Sequence, residues 1–165
     1  MTIRPSRQRS IILMMVAMTS IALALPAGAG SQVPFKGADV GTFSLPGACS
    51  DGSLQVVIEG SGTATHLGRY RYEANECFNP VTGAFSGEPT VTAANGDQLF
   101  GTYSGQVSST SDPNVITYEE QLTVSGGTGR FAGATGAFDV VGEANLADLV
   151  YNQSLVGVIS NLGRP

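Results

Sequence analysis

The sequence has no tryptophan, one histidine (His66), two cysteines and only 13% charged residues, and each shortage narrows the chemistry available. One histidine and two cysteines fall short of the ligand set a zinc site normally needs. The acidic residues are scattered, without the DxDxDG run of an EF-hand calcium loop. There is no GxSxG elbow, so a Ser-His-Asp triad has no motif behind it, and a glycosidase-type carboxylate pair needs a separation that sequence does not give. Also missing is any extended stretch with apolar residues at helical spacing. No motif calls for a cofactor.

One long uncharged run is present, IILMMVAMTSIALAL, preceded by Arg4, Arg7 and Arg9 and followed by PAGAG. This is the pattern of a secretory signal peptide, too short to span a bilayer, with Ala27-Gly28-Ala29 as the small-x-small cleavage site. Residues 1–29 are therefore expected to be removed, leaving one domain over 30–165 that is secreted or periplasmic. Three of the eight basic residues leave with the signal and all thirteen acidic ones stay, so the exported product carries a net charge of −8. Such a surface repels phosphate backbones and anionic lipid, which argues against nucleic acid as a partner and against a membrane after cleavage, and it favours solubility.

In an oxidising compartment, Cys49 and Cys77 read first as a disulfide. Two buried free thiols are the next alternative. A cysteine nucleophile comes last, because it needs a base and nothing in the sequence places His66 against either sulfur.

Short alternating runs rich in Val, Thr, Tyr and Phe recur between clusters of Gly, Asn, Asp and Pro, which is an all-β pattern. Strands are expected over residues 38–45, 53–65, 68–78, 84–93, 97–107, 115–124, 136–146 and 153–160, joined by short loops. Short connections between consecutive strands favour an antiparallel meander, and closing it into a barrel removes exposed edges. NPVTG and Ala94–Asp97 are hairpin signals, with Asn95-Gly96 expected to take the two positive φ angles of a type I′ turn. Glycines within the strands (Gly60, Gly62, Gly87, Gly101, Gly105, Gly142, Gly157) fit the tight bends of a small barrel.

The segment SGGTGRFAGATG, residues 125–136, holds five glycines and stands between two strand-like runs. Here the chain is expected to leave the sheet, tuck Phe131 under one barrel end as a plug and return, while Arg130 stays outside or pairs with a carboxylate at the rim. A phosphate-cradling loop is the competing reading. It fails, because such a loop should open a helix in a strand-helix-strand unit and no P-loop lysine is present.

The order of short strands, then GGTGRFAGATG, then a further strand pair resembles the allene oxide cyclase and dirigent barrel superfamily, whose members carry a similar glycine-flanked Phe turn late in the chain. Residues 34–160 also resemble a group of small exported bacterial proteins with stretches like PFKG, ATHLGR, TAANGD and GGTGRFAGATG, here at 34–37, 64–69, 92–97 and 126–136. The resemblance implies an eight-stranded antiparallel barrel of calycin type with a lumen and, from the plant families, a homo-trimer. Its motifs are turn motifs, which speak to fold before chemistry.

Alternation then selects candidate site residues. In the sixth strand Ile116, Tyr118, Glu120, Leu122 and Val124 share a face that is apolar except for Glu120. An inward Glu120 would have its pKa raised by desolvation, making it a candidate general acid or base, or a polar anchor for a ligand. The alternative pairs it with an inward Arg or leaves it in water at the barrel mouth. Tyr70 and Tyr72 share a face of the third strand opposite Arg69, Arg71 and Glu73, and Tyr103 extends the same wall with Leu99 and Val107. These tyrosines either line a lumen with hydroxyl donors or serve as core packing. His66, in a turn, is read either as an acid-base group or as a structural hydrogen-bond partner.

Three functional classes remain open. The first is a binding module that takes a small hydrophobic or phenolic ligand among Tyr70, Tyr72, Tyr103, Tyr118 and Glu120. A second is a cyclase or isomerase of the kind the resemblance implies, relying on restraint and one or two acid-base groups. The third is a structural or surface-interaction protein, and it is favoured if side chains fill the lumen.

Overall fold

The computed structural model describes residues 31–160, so the expected signal segment and its cleavage point after Ala29 lie outside the described residues. The alternating runs form eight strands: β1 (Val33–Ala48), β2 (Leu54–Ala64), β3 (Gly68–Phe78), β4 (Ala84–Ala93), β5 (Gln98–Ser109), β6 (Val115–Gly127), β7 (Thr135–Asn145) and β8 (Val150–Ser160). Each pairs antiparallel with its sequence neighbour, and β1 pairs with β8 to close an eight-stranded antiparallel barrel. Among the described residues the one helical element is a 3₁₀ turn at Gly129–Phe131, and no helix is long and apolar enough to cross a membrane.

Closure lengthens two strands beyond what local pattern predicts. β1 starts at Val33 instead of residue 38 because Val33–Gly37 ladder onto Ile159–Leu155 of β8. β8 starts at Val150 instead of residue 153 because Val150 and Tyr151 lie between Thr42 and Gly41 on one side and Asn145 and Ala144 on the other. Pro34 and Gly37 weaken the strand signal locally, and only a distant partner restores it.

The hairpin at Asn95-Gly96 differs from the expected type I′ turn. Only Gly96 takes a positive φ, 89°, and Asn95 does not. The Gly96 N–H donates to the Ala93 carbonyl at 2.9 Å, and the Ala93 N–H donates to the Asp97 carbonyl at 2.8 Å. This is the longer hairpin in which a type I turn is followed by one left-handed residue.

Inward positions divide the barrel into two halves. At the end carrying the 65–67, 94–97 and 128–134 loops, Phe131 is fully buried and plugs the opening beside Phe35, Leu67, Leu99, Val124 and Ile159. Phe35 and Phe138 stack with ring centroids 4.6 Å apart beneath it. Arg130 stays at the rim, 4.7 Å above the Phe131 ring, with Nε 3.8 Å from Asp97 Oδ2 and an Nη2–H donated to the Leu67 carbonyl at 3.3 Å. The plugged half keeps only a void of about 30 Å³, close to one water.

At the other end, the Cys49–Cys77 disulfide ties the β1–β2 turn to the end of β3. Cross-linking residues 28 apart contributes about 3 to 4 kcal/mol in the chain-entropy account. The strand glycines also prove structural, through close approach. Gly87 and Gly142 lie directly across from Tyr103 and Tyr118, and a Cβ at either would sit within 2.5 Å of the tyrosine ring. Glycine lets each ring lie flat on the neighbouring strand.

Phe131→Ala should destabilise the fold by about 3 to 5 kcal/mol, the usual cost of emptying a buried aromatic site. Urea unfolding followed by far-ultraviolet circular dichroism measures it. A loss under about 1 kcal/mol would show that the plug is dispensable.

Candidate ligand-binding lumen

The half of the barrel opposite the plug is open. Its mouth is framed by the 49–53, 79–83, 110–114 and 146–149 loops, and a cavity of about 300 Å³ runs inward from it. Phe43, Val56, Ile58, Phe78, Phe85 and Ile116 supply an apolar wall, and Tyr72, Glu76, Tyr118, Glu120, Tyr151 and Gln153 supply the polar groups. The size falls at the lower end of small-molecule sites, which run from about 300 to 1,000 Å³.

Glu120 points inward, as the alternation of β6 predicts, and is 6% exposed. Its direct partners across the ladders are Gly105 and Val140, neither of which can bond to it through a side chain. No hydrogen bond reaches Oε1. The described basic residues lie elsewhere: Lys36, Arg69 and Arg71 are exposed, and Arg130 and His66 belong to the plugged end. An inward arginine is therefore not the explanation for Glu120. Burial pushes its carboxyl up to about 8, and the nearby carboxylates Glu76 and Asp39 push in the same direction.

Tyr72 and Tyr118 line the cavity beside Glu120. Tyr103 stands one step behind and donates its hydroxyl to Glu76 Oε2 at 3.1 Å. Burial raises Glu76 to about 7 despite that bond. Tyr70 lies deeper and does not line this cavity; it donates to Asp39 Oδ2 at 2.7 Å. Asp39 Oδ2 also accepts from Gln153 Nε2 at 3.2 Å, and Gln153 Oε1 accepts the Tyr118 hydroxyl at 2.9 Å. A chain of bonds therefore runs Tyr118, Gln153, Asp39, Tyr70 across the lumen floor. Asp39 is raised above the ordinary aspartate value, burial outweighing its hydrogen bonds. Asp39 also interacts with the buried Tyr151 hydroxyl, although neither that hydroxyl nor Asp39 Oδ1 closes a full hydrogen bond. Burial foremost, reinforced by these carboxyls, pushes the lumen tyrosines up, so they stay protonated.

Four functional groups escaped the sequence reading: Asp39, Glu76, Tyr151 and Gln153. Two had a signal. Glu76 is two steps beyond Ala74 on the face that carries Tyr70 and Tyr72, and Asp39 alternates with Phe35 and Phe43. Tyr151 was hidden by the late start assigned to its strand, and Gln153 by its place at that strand's first residue. His66 is separate from the site: its Nε2 lies 3.2 Å from the Pro34 carbonyl at the plugged end, consistent with a structural role. Among the described residues no three His, Cys, Asp or Glu side chains converge to hold a metal ion.

The raised carboxyls make stability depend on pH. Glu120 titrates near 8 when folded and near its ordinary 4.5 when unfolded, so between those values the fold holds a proton that the unfolded chain has released. Its contribution is intact below pH 4.5 and is lost as pH rises toward 8, by up to about 1.4 kcal/mol per pH unit. Glu76 adds a similar loss up to about pH 7. Wild-type protein should therefore weaken in urea between pH 5 and 8, and Glu120→Gln should weaken less; equal slopes would place Glu120 in water.

Compared with known proteins, the chain matches no family model and no curated protein, so the reading of its function rests on the lumen.

Proposed function

We propose that this protein binds a small hydrophobic or phenolic molecule in the open half of its barrel, outside the cytoplasm. The observation that carries the reading is a cavity of about 300 Å³ with an apolar wall and, at its floor, a buried carboxyl whose Oε1 is unmet. Buried polar atoms are nearly always bonded, and one left open in a cavity is met when a ligand supplies the partner. Glu120, Tyr72 and Tyr118 would orient the guest, with Tyr103 and Tyr70 holding Glu76 and Asp39 behind them. An interior left half empty argues against a purely structural barrel. Export is supported by the arginine-led apolar N-terminal run and by the Cys49–Cys77 disulfide.

A second reading, a cyclase or isomerase, draws on the same site. A carboxyl raised to about 8 beside an apolar wall is poised for proton transfer near neutral pH. It accords with the proposed kinship to allene oxide cyclase and dirigent barrels. Self-association, the other property implied by that kinship, is supported by Val40, Val141 and Val156, which stand exposed on the outer wall of β1, β7 and β8.

Native mass spectrometry of the protein purified from its own host tests these readings together, since it reports bound small molecules and subunit number. A retained apolar molecule is expected. Ala144→Trp, which fills the cavity from β7, should lower its retention at least tenfold, and the new indole reports whether the lumen is occupied. An empty wild-type protein that also refuses a panel of hydrophobic probes would reject the lumen as a binding site. Conversion of a bound probe to an isomer would favour the enzyme.

A further inference from the structure

The lumen carries charge of one sign. Glu76 and Asp39 both act on the protonation of Glu120, and no described basic side chain reaches the three carboxyls. Buried carboxyls normally meet an arginine, a lysine or a metal ion. Here Glu120 Oε1 meets nothing, and no cluster among the described residues could hold a metal. A cation brought in by the ligand would supply the partner that the protein does not.

Two further observations point the same way. Aromatic rings of Tyr72, Tyr118, Tyr151 and Phe85 border the cavity, and ring faces attract ammonium groups that have shed water. The mouth is acidic as well: Asp51, Asp112 and Asp148 stand on three of its four loops, and none of those loops carries Lys or Arg. Lys36, Arg69 and Arg130 gather at the plugged end instead. The barrel is thus polarised along its axis, with an entrance that draws cations and repels anions.

We infer that the lumen ligand is a monovalent organic cation, an ammonium group on a compact apolar or aromatic body, with its head at Glu120 and its body against the Phe43 and Phe85 walls. This inference rests on the reading of the lumen as a binding site and narrows it to one chemical class. A neutral guest would leave Glu120 needing its proton, whereas a cation replaces that proton. Binding should therefore release a proton wherever Glu120 is protonated. The titratable groups facing Glu120 are Glu76 and Tyr72 from β3, Asp39 from β1, Tyr103 from β5, Tyr118 from β6 and Tyr151 from β8. The tyrosines stay neutral over the working range, so the carboxyls alone set the pH dependence.

Three probes of one shape separate the possibilities: benzyltrimethylammonium, its neutral isostere neopentylbenzene, and the anion phenylmethanesulfonate. None changes charge across the pH range, and binding is followed by nuclear magnetic resonance of the full protein. At pH 8 the cation should bind at least tenfold more tightly than the neutral isostere, and the anion should not bind. Cation affinity should fall up to about tenfold per pH unit from pH 8 to pH 6, as the competent ionised form becomes rare, while neutral binding stays level. Glu120→Gln should lose both the preference and the pH dependence yet still take neopentylbenzene, which shows that its lumen is intact. If the neutral probe binds wild-type protein as tightly as the cation at pH 8, the cationic ligand is rejected and lumen binding stands. If no probe binds, both fall.

Discussion

The ladder between β1 and β8 is the constraint on which the rest depends. With the sheet closed, no strand has an edge, and the alternation of every strand becomes a division between an enclosed space and solvent. Each inward residue must then fill that space, be met by a neighbour or leave a hole. The sequence uses all three options, and they are segregated along the axis. Aromatic and aliphatic side chains fill the end under Phe131, where only about 30 Å³ stays empty. At the other end large apolar side chains stand back around a set of polar ones and leave about 300 Å³. Strand glycines contribute to both outcomes, because they let rings lie against the wall instead of crossing the lumen.

This segregation separates the packed part of the core from the candidate site. The plugged half is a conventional packed interior, and with the disulfide it supplies the stability that the open half works against. Holding Asp39, Glu76 and Glu120 in a low-dielectric space with one another destabilises the folded chain whenever they ionise. Replacing Glu120 by an apolar residue would be the simpler core. Local strain and unmet polarity of this kind are characteristic of sites that do something for a ligand.

How much of this was legible in the sequence depended on the range of the interaction. The eight-strand barrel, the plug at Phe131, the pairing of Cys49 with Cys77 and the inward face of β6 all follow from local alternation, turn residues and compartment. Glu120 stood out because it interrupts an apolar face. The signal at Asp39 was weaker, since glycines at 37 and 41 separate it from Phe35 and Phe43 and leave no continuous apolar face to interrupt. The type of the Asn95-Gly96 turn was missed because strand register, not the dipeptide, sets loop length. The carboxyl cluster joins β1, β3 and β6, strands apart in sequence and brought into one lumen only by closure.

The placement of the loops completes the argument. An antiparallel barrel with eight strands sends alternate connections to opposite ends, so residues in odd and even loops are sorted by topology alone. Three of the four acidic residues in the connecting loops, Asp51, Asp112 and Asp148, fall at the mouth, while Asp97 and most of the described basic residues lie near the plug. Both sets are largely solvated, so neither adds much to stability. Their sum is a field along the barrel axis that acts on a charged molecule before it touches the wall. No described cation of the protein itself reaches Glu120, since Lys36, Arg69 and Arg71 are exposed and Arg130 is held at the plugged end. The unmet carboxyl and the acidic mouth belong to the same open half of the barrel, and the proposed cationic ligand would meet both.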